Sequence, residues 1–141
     1  MTAPEVTTIQ IAIGEPPPPG KEPVVQARAD VPNAKLYGGI FAVHPTPLVS
    51  ETLAIVGYGD DFVITHAPTG MYLARYLTSA SANAIARAWS NVEGVAALTD
   101  VAAWRTPEGE AMALALVAIQ RAIVEAERDR KTAAALARST R

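Results

Sequence analysis

Cysteine is missing from the chain altogether, which removes disulfides, thiolate metal ligands and thiol nucleophiles together. Aromatic residues are scarce, at 6%, so a core has to be built from small side chains on closely approaching elements. Neither sign of charge dominates. Twelve Lys and Arg stand against fourteen Asp and Glu, for a net charge of -2, which excludes a protein whose whole surface attracts phosphate or anionic lipid. Long apolar runs are missing too: the longest, Ala111 to Ile119, falls far short of the ~20 residues that cross a bilayer. Met1 to Ile13 lacks the basic start and small-residue cleavage site of a secretory signal. These absences describe a soluble protein with no membrane partner, cytoplasmic by default.

Nucleotide and nucleophile motifs are equally sparse. Gly57-Tyr58-Gly59 follows a strand but leads into another strand, with no G-x-G-x-x-G or G-K-[ST] behind it. Ser79, Ser81 and Thr65 sit in nothing resembling a G-x-S-x-G elbow, and helix capping accounts for the serines. His44, His66, Asp60 and Asp61 are the one set able to supply a metal site or acid–base pair, since imidazole and carboxylate are the ligands left without cysteine. Their spacing matches no ligand motif, so no cofactor or metal is expected.

What the chain does contain is a change of period along its length. Ile9, Ile11 and Ile13 alternate with small or polar residues, as in a half-buried strand. Pro16 to Pro19 and Gly20 then form a stiff connector, with a proline-rich ligand for an aromatic groove as the functional reading. Val24–Ala27 and Leu36–Val43 read as further strands, the second carrying a bulge at Gly38-Gly39. The prolines of His44-Pro45-Thr46-Pro47 are expected to break any ladder. A three-stranded meander follows: Leu53–Val56, a turn at Tyr58–Asp61, Phe62–His66, a turn at Ala67–Gly70, and Met71–Leu77.

Helical spacing takes over after Thr78-Ser79-Ala80-Ser81, which offers N-cap oxygens; Ile85, Ala88, Trp89 and Val92 share one face, and Gly94 is a stop. Val95 to Trp104 fits either a short helix or a packed loop. Thr106-Pro107-Glu108 starts the last helix, with a threonine cap, a proline at the first helical position and an acid at the positive end. Met112, Leu116, Ile119 and Ile123 form its apolar stripe, widened by Val117 and Val124. Arg121/Glu125 and Glu127/Lys131 are read as pairs on its outer side. From Arg128 onward the stripe fades, so the segment either extends the helix or frays into a basic tail.

The expected fold is therefore α+β, an antiparallel β-meander or small twisted sheet followed by two amphipathic helices packed on one face. At 141 residues a single domain is expected, with an extended arm and edge strands over 1–50, a meander over 51–78 and a helical part over 79–141. Three functional readings follow. The first is a non-enzymatic interaction protein, an accessory or structural component of an assembly or an inhibitor docking on a larger machine. Its candidate surface is Met112, Leu116, Ile119 and Ile123, which also suits a homo-oligomer. The second is a nucleic-acid-binding module using Tyr72, Arg75 and Arg87, or the basic group Arg128, Arg130, Lys131, Arg138 and Arg141. By alternation Tyr72 and Tyr76 should point one way and Arg75 the other. The third is a small enzyme around His44, His66, Asp60 and Asp61. The residues establish no biological source, a virus or mobile element included.

Overall fold

The computed structural model describes residues 3–14, 19, 21 and 24–139. Most of the proline-rich connector and Arg141 lie outside the described residues. Five strands form one antiparallel sheet in chain order: β1 (Glu5–Ile13), β2 (Ala27–Tyr37), β3 (Phe41–Val49), β4 (Ile55–His66) and β5 (Met71–Leu77). A 3-10 turn over Val95–Ala97 separates α1 (Ser79–Ser90) from α2 (Val101–Trp104), and α3 (Pro107–Ser139) closes the chain. The fold is α+β, with the sheet first and the helices after it.

Several strand boundaries differ from expectation, each for a local reason. Gly38-Gly39 is not a bulge inside one strand but the turn between β2 and β3; both glycines have positive φ, 62° and 72°, which side chains rarely tolerate. Val24 and Val25 lie exposed before β2 begins. That strand instead runs through Asp30-Val31-Pro32-Asn33. Pairing jumps from Ile9↔Val31 to Thr7↔Ala34, so Pro32 and Asn33 together oppose Thr8 in a bulge that needs no proline N–H.

His44-Pro45-Thr46-Pro47 does not break the ladder either, since β3 passes straight through it. β2 pairs with β3 only as far as Val43, so one edge of β3 is open beyond that point and a missing donor there leaves no strand partner unmet. Tyr58–Asp61 is likewise part of β4 rather than a turn. Its Gly59-Asp60-Asp61 bulges opposite Thr46, whose Oγ1 donates to the Asp61 carbonyl at 3.1 Å. The expected meander of three strands therefore holds two, β4 and β5, and the real reversal lies at Ser50–Ala54. There Leu53 adopts φ 64°, and the Ala54 N–H donates to Ser50 Oγ at 3.3 Å.

The helix signals read through more directly. Thr78 caps α1, accepting the Ser81 N–H on Oγ1 at 3.1 Å. Thr106 accepts the Gly109 N–H at 3.0 Å at the start of α3. Asp100 caps the short α2. α3 continues without a break to Ser139, about 50 Å at ~1.5 Å per residue.

Each face of the sheet is covered differently. Phe41, Val43, Ile64, Ala74 and Leu77 lie under α1, which presents Ala82, Ile85, Ala86 and Trp89 to them. The alanines let the helix axis come close, as the shortage of aromatics requires. The opposite face gathers Ile9, Ile11, Val31, Ala34 and Ala42, and there the sheet curls to cover itself. The Ala12 N–H donates to the Gly70 carbonyl at 2.9 Å and Arg28 Nη1 to the Thr69 carbonyl at 3.4 Å, bringing the β1–β2 hairpin onto the β4–β5 turn. Gly70 is needed at that meeting point: its φ is 74°, and a Cβ would stand 2.8 Å from the Ala12 nitrogen.

α3 leans on α1 and α2 rather than lying directly along the sheet. Trp89 makes the junction. Its indole packs edge-on against Phe41 at 5.4 Å, and its Nε1 donates to the Leu116 carbonyl of α3 at 2.8 Å.

Two stability predictions follow from these contacts. Gly70→Ala should cost about 2 kcal/mol or more through the left-handed backbone and the contact with β1, read as a lower urea midpoint. Trp89→Phe keeps most of the apolar volume but leaves a donor out, and should cost about 1–2 kcal/mol by the same measurement.

Candidate interaction surface

The two histidines do not meet. Register places His44 beside Val63 and His66 beside Phe41, so their side chains leave opposite faces of the sheet. Asp60 and Asp61 are exposed in the β4 bulge. Among the described residues no three His, Asp or Glu side chains are grouped to hold a metal.

Both imidazoles are buried. His44 Nδ1 lies 2.8 Å from the Pro45 carbonyl, which can only accept, so that nitrogen carries the proton. Nε2 then accepts from Thr65 Oγ1 at 2.8 Å. Burial pushes the His44 pKa below its ordinary value, with the Pro45 carbonyl pulling weakly the other way. His66 sits between Phe41 and Trp104, edge to face with the indole at 5.3 Å. Its Nδ1 meets Thr69 Oγ1 at 2.8 Å, while among the described residues its Nε2 and Trp104 Nε1 have no partner in good hydrogen-bond geometry. Burial lowers its pKa as well, opposed by the Leu98 backbone.

Tyr72, Arg75 and Tyr76 come together, contrary to simple alternation along β5. The strand is irregular: pairing with β4 shifts on either side of Ile64, and Tyr76 has φ 59°. As a result the Arg75 guanidinium lies 5.5 Å from the Tyr72 ring centre and 5.2 Å from that of Tyr76, within cation–π range of both. Tyr76 is 74% exposed. Burial raises the Tyr72 pKa, the Arg75 charge lowers it and nearby Tyr58 adds to the rise. Arg87 belongs elsewhere, over the Tyr37 ring at 5.7 Å, near the β2–β3 turn.

The basic residues of α3 do not all share one side. Successive residues turn about 100° around a helix, which sets Arg128, Lys131 and Arg138 within about 80° of one another and turns Arg130 away from them. Lys131 is engaged with Glu127 at 3.2 Å. Glu127, read from sequence as an outer-face residue, instead faces α1. It accepts from the Thr78 hydroxyl at 2.8 and 3.0 Å on its two oxygens, clipping α3 to the start of α1. Partial burial works to raise its pKa, but the bonds from Thr78 and Lys131 and the charges of Lys131 and Arg130 hold it below the usual carboxylate range. Arg121 and Glu125, also four apart, make no ion pair among the described residues.

On the apolar side of α3, Leu116 is buried, while Met112, Ile119, Ile123 and Val124 pack half-buried against the core beneath α1. The expected stripe is therefore largely taken up inside the molecule. What stays open lies elsewhere on the same helix. Leu114 is 73% exposed and Leu136 61%, with Val117 also outward, and every residue from Arg128 to Ser139 is exposed. Along this stretch Arg128, Lys131, Thr132 and Ala135 border an open groove with Tyr76, Leu77 and Thr78. Sequence reasoning missed this second face because its leucines are spaced widely among alanines and charges, and the inner stripe gave the stronger period. The recurrence of Leu114, Ala118, Thr132 and Leu136 on one side was the available signal.

Fold and surface together describe a small α+β protein with a curled antiparallel sheet, buried histidines and one long helix exposed over its last third. No protein-family model, no curated protein and no solved structure matches this chain.

The two buried histidines make stability depend on pH. Both are held neutral in the fold and titrate near ~6.5 once unfolded. Between their lowered folded values and ~6.5 the unfolded chain binds more protons, so stability falls as pH drops through that window. The urea midpoint should be lower at pH 5.5 than at pH 7.5, and His44→Gln should flatten the difference.

Proposed function

We propose that this is a soluble, cytoplasmic, non-enzymatic interaction protein, an accessory or structural part of an assembly or an inhibitor of a larger machine, and that α3 is its docking element. The observation that carries this reading is the exposed last third of α3. An isolated helix of some twelve residues is marginal in water, yet Arg128–Ser139 is helical and exposed on all sides. Outward leucines at Leu114 and Leu136 give that helix apolar anchors of the kind that a partner helix or groove covers.

Other readings have less support. An enzyme built on His44, His66, Asp60 and Asp61 would need side chains that leave opposite faces of the sheet to act together. Nucleic-acid binding draws on the Tyr72–Arg75–Tyr76 cluster, whose exposed ring and guanidinium suit base stacking. The tail adds Arg128, Lys131 and Arg138 on one side of α3, of which Lys131 is already engaged with Glu127 at 3.2 Å.

Tagged full-length protein, incubated with host lysate with and without nuclease, separates these possibilities. Capture of a defined protein that survives nuclease and is lost in Leu136→Glu supports docking through α3. Capture that disappears with nuclease and with Arg75→Ala moves the function to the tyrosine–arginine cluster. Capture unchanged by Leu136→Glu removes α3 from the interaction.

A further inference from the structure

We infer that the outer face of α3 pairs with a second copy of itself, antiparallel, about a two-fold axis at Glu125. This deepens the proposed docking role of α3 and rests on it. Taking the buried Leu116 as the inward direction, a rotation of about 100° per residue places Leu114, Ala118, Arg121, Glu125, Thr132 and Leu136 within roughly 40° of the opposite side. With Asp129, also within that arc, these positions step by three and four residues, the spacing of a helix-pairing seam; Leu114 and Leu136 are exposed at its two ends.

The charges on this seam are self-complementary in one direction only. With Glu125 on the axis, a residue meets the one equally far along the other copy in the opposite sense. Arg121 of one copy then faces Asp129 of the other, and the pair occurs twice by symmetry. Leu114 likewise meets Leu136 twice, and Ala118 meets Thr132. Within the chain, neither the Arg121 nor the Asp129 side chain has an ion-pair or hydrogen-bond partner among the described residues. Glu125 faces its own copy on the axis, with Arg121 and Arg128 within about one turn to offset the like charge. A parallel arrangement would instead put Arg121 on Arg121 and Asp129 on Asp129.

The arrangement also covers the exposed end of the helix. Residues Arg128 to Ser139, exposed in one copy, lie along the Ala111–Ala122 stretch of the other, which is held in place by α1 beneath it. Each body sits on the inner side of its own α3, so the two bodies stand on opposite outer sides of the pair and do not collide. The result is a four-helix stack of α1, α3, the second α3 and the second α1.

Sedimentation equilibrium on the full chain tests this, with circular dichroism confirming that each variant keeps its helix content. The wild-type chain is expected to form a dimer at concentrations on the order of 10–100 µM, weakening as salt rises. Leu136→Glu should raise the dissociation constant by about tenfold or more. Arg121→Asp alone should weaken the dimer, as should Asp129→Arg alone, and the double variant R121D/D129R should restore it. A monomer throughout this range overturns self-pairing; if protein capture still depends on Leu136, the docking role of α3 stands while its occupant is another protein. A dimer indifferent to Leu136→Glu and to the single charge reversals overturns this interface. Weakening by either single reversal without rescue in the double variant overturns the antiparallel register.

Discussion

The architecture depends on the burial of Trp89. Its ring is pressed edge-on to Phe41 at the centre of the sheet, it belongs to α1, and its one polar atom reaches the Leu116 carbonyl in α3. A chain with so few aromatic residues uses this one to join three elements that are far apart in sequence. The bond goes to a mid-helix carbonyl that already has a helical partner available, and it is accommodated because a carbonyl oxygen has a second lone pair. Around it Ala82 and Ala86 keep α1 close to the sheet, so the indole fills the space that small residues leave.

That junction also sets how much of α3 is supported. Trp89 holds the helix at Leu116, and the Thr78–Glu127 clip holds it again about three turns later. Beyond Glu127 it is exposed and borders an open groove with Tyr76, Leu77 and Thr78. A helix grasped at two points along its first two-thirds and exposed in its last third presents a rigid, pre-formed surface, which lowers the ordering cost that a partner would otherwise meet.

The other face of the sheet is closed by geometry rather than by a helix. Gly70 lets the backbone of β1 approach the β4–β5 turn, and the curl that results shuts Ile9, Ile11 and Val31 away from water. His44 is sealed on this side with both ring nitrogens matched, whereas His66, on the helix side, has one nitrogen without a well-aligned partner among the described residues, as does the neighbouring Trp104 indole. The imidazoles serve as buried neutral packing groups, at the cost of a fold that weakens when they are charged.

Local chemistry was legible in the sequence where it acts over a few residues. The caps at Thr78 and Thr106, the Ala67–Gly70 turn, the β1 alternation and the α+β order of the elements could all be read from neighbouring side chains, because capping, turn geometry and helical period are settled within one or two turns of chain. What stayed hidden was decided by partners distant in sequence. Pro45 and Pro47 are tolerated in β3 because β2 ends beside Val43, Gly59-Asp60-Asp61 is a bulge because Thr46 faces it, and Tyr76 meets Arg75 because β5 loses register against β4. Most consequentially, the sequence showed the apolar stripe of α3 but not which side of that helix the body would cover. Trp89 and α1 claim the Leu116 side, and only that choice leaves Leu114, Arg121, Asp129 and Leu136 facing outward.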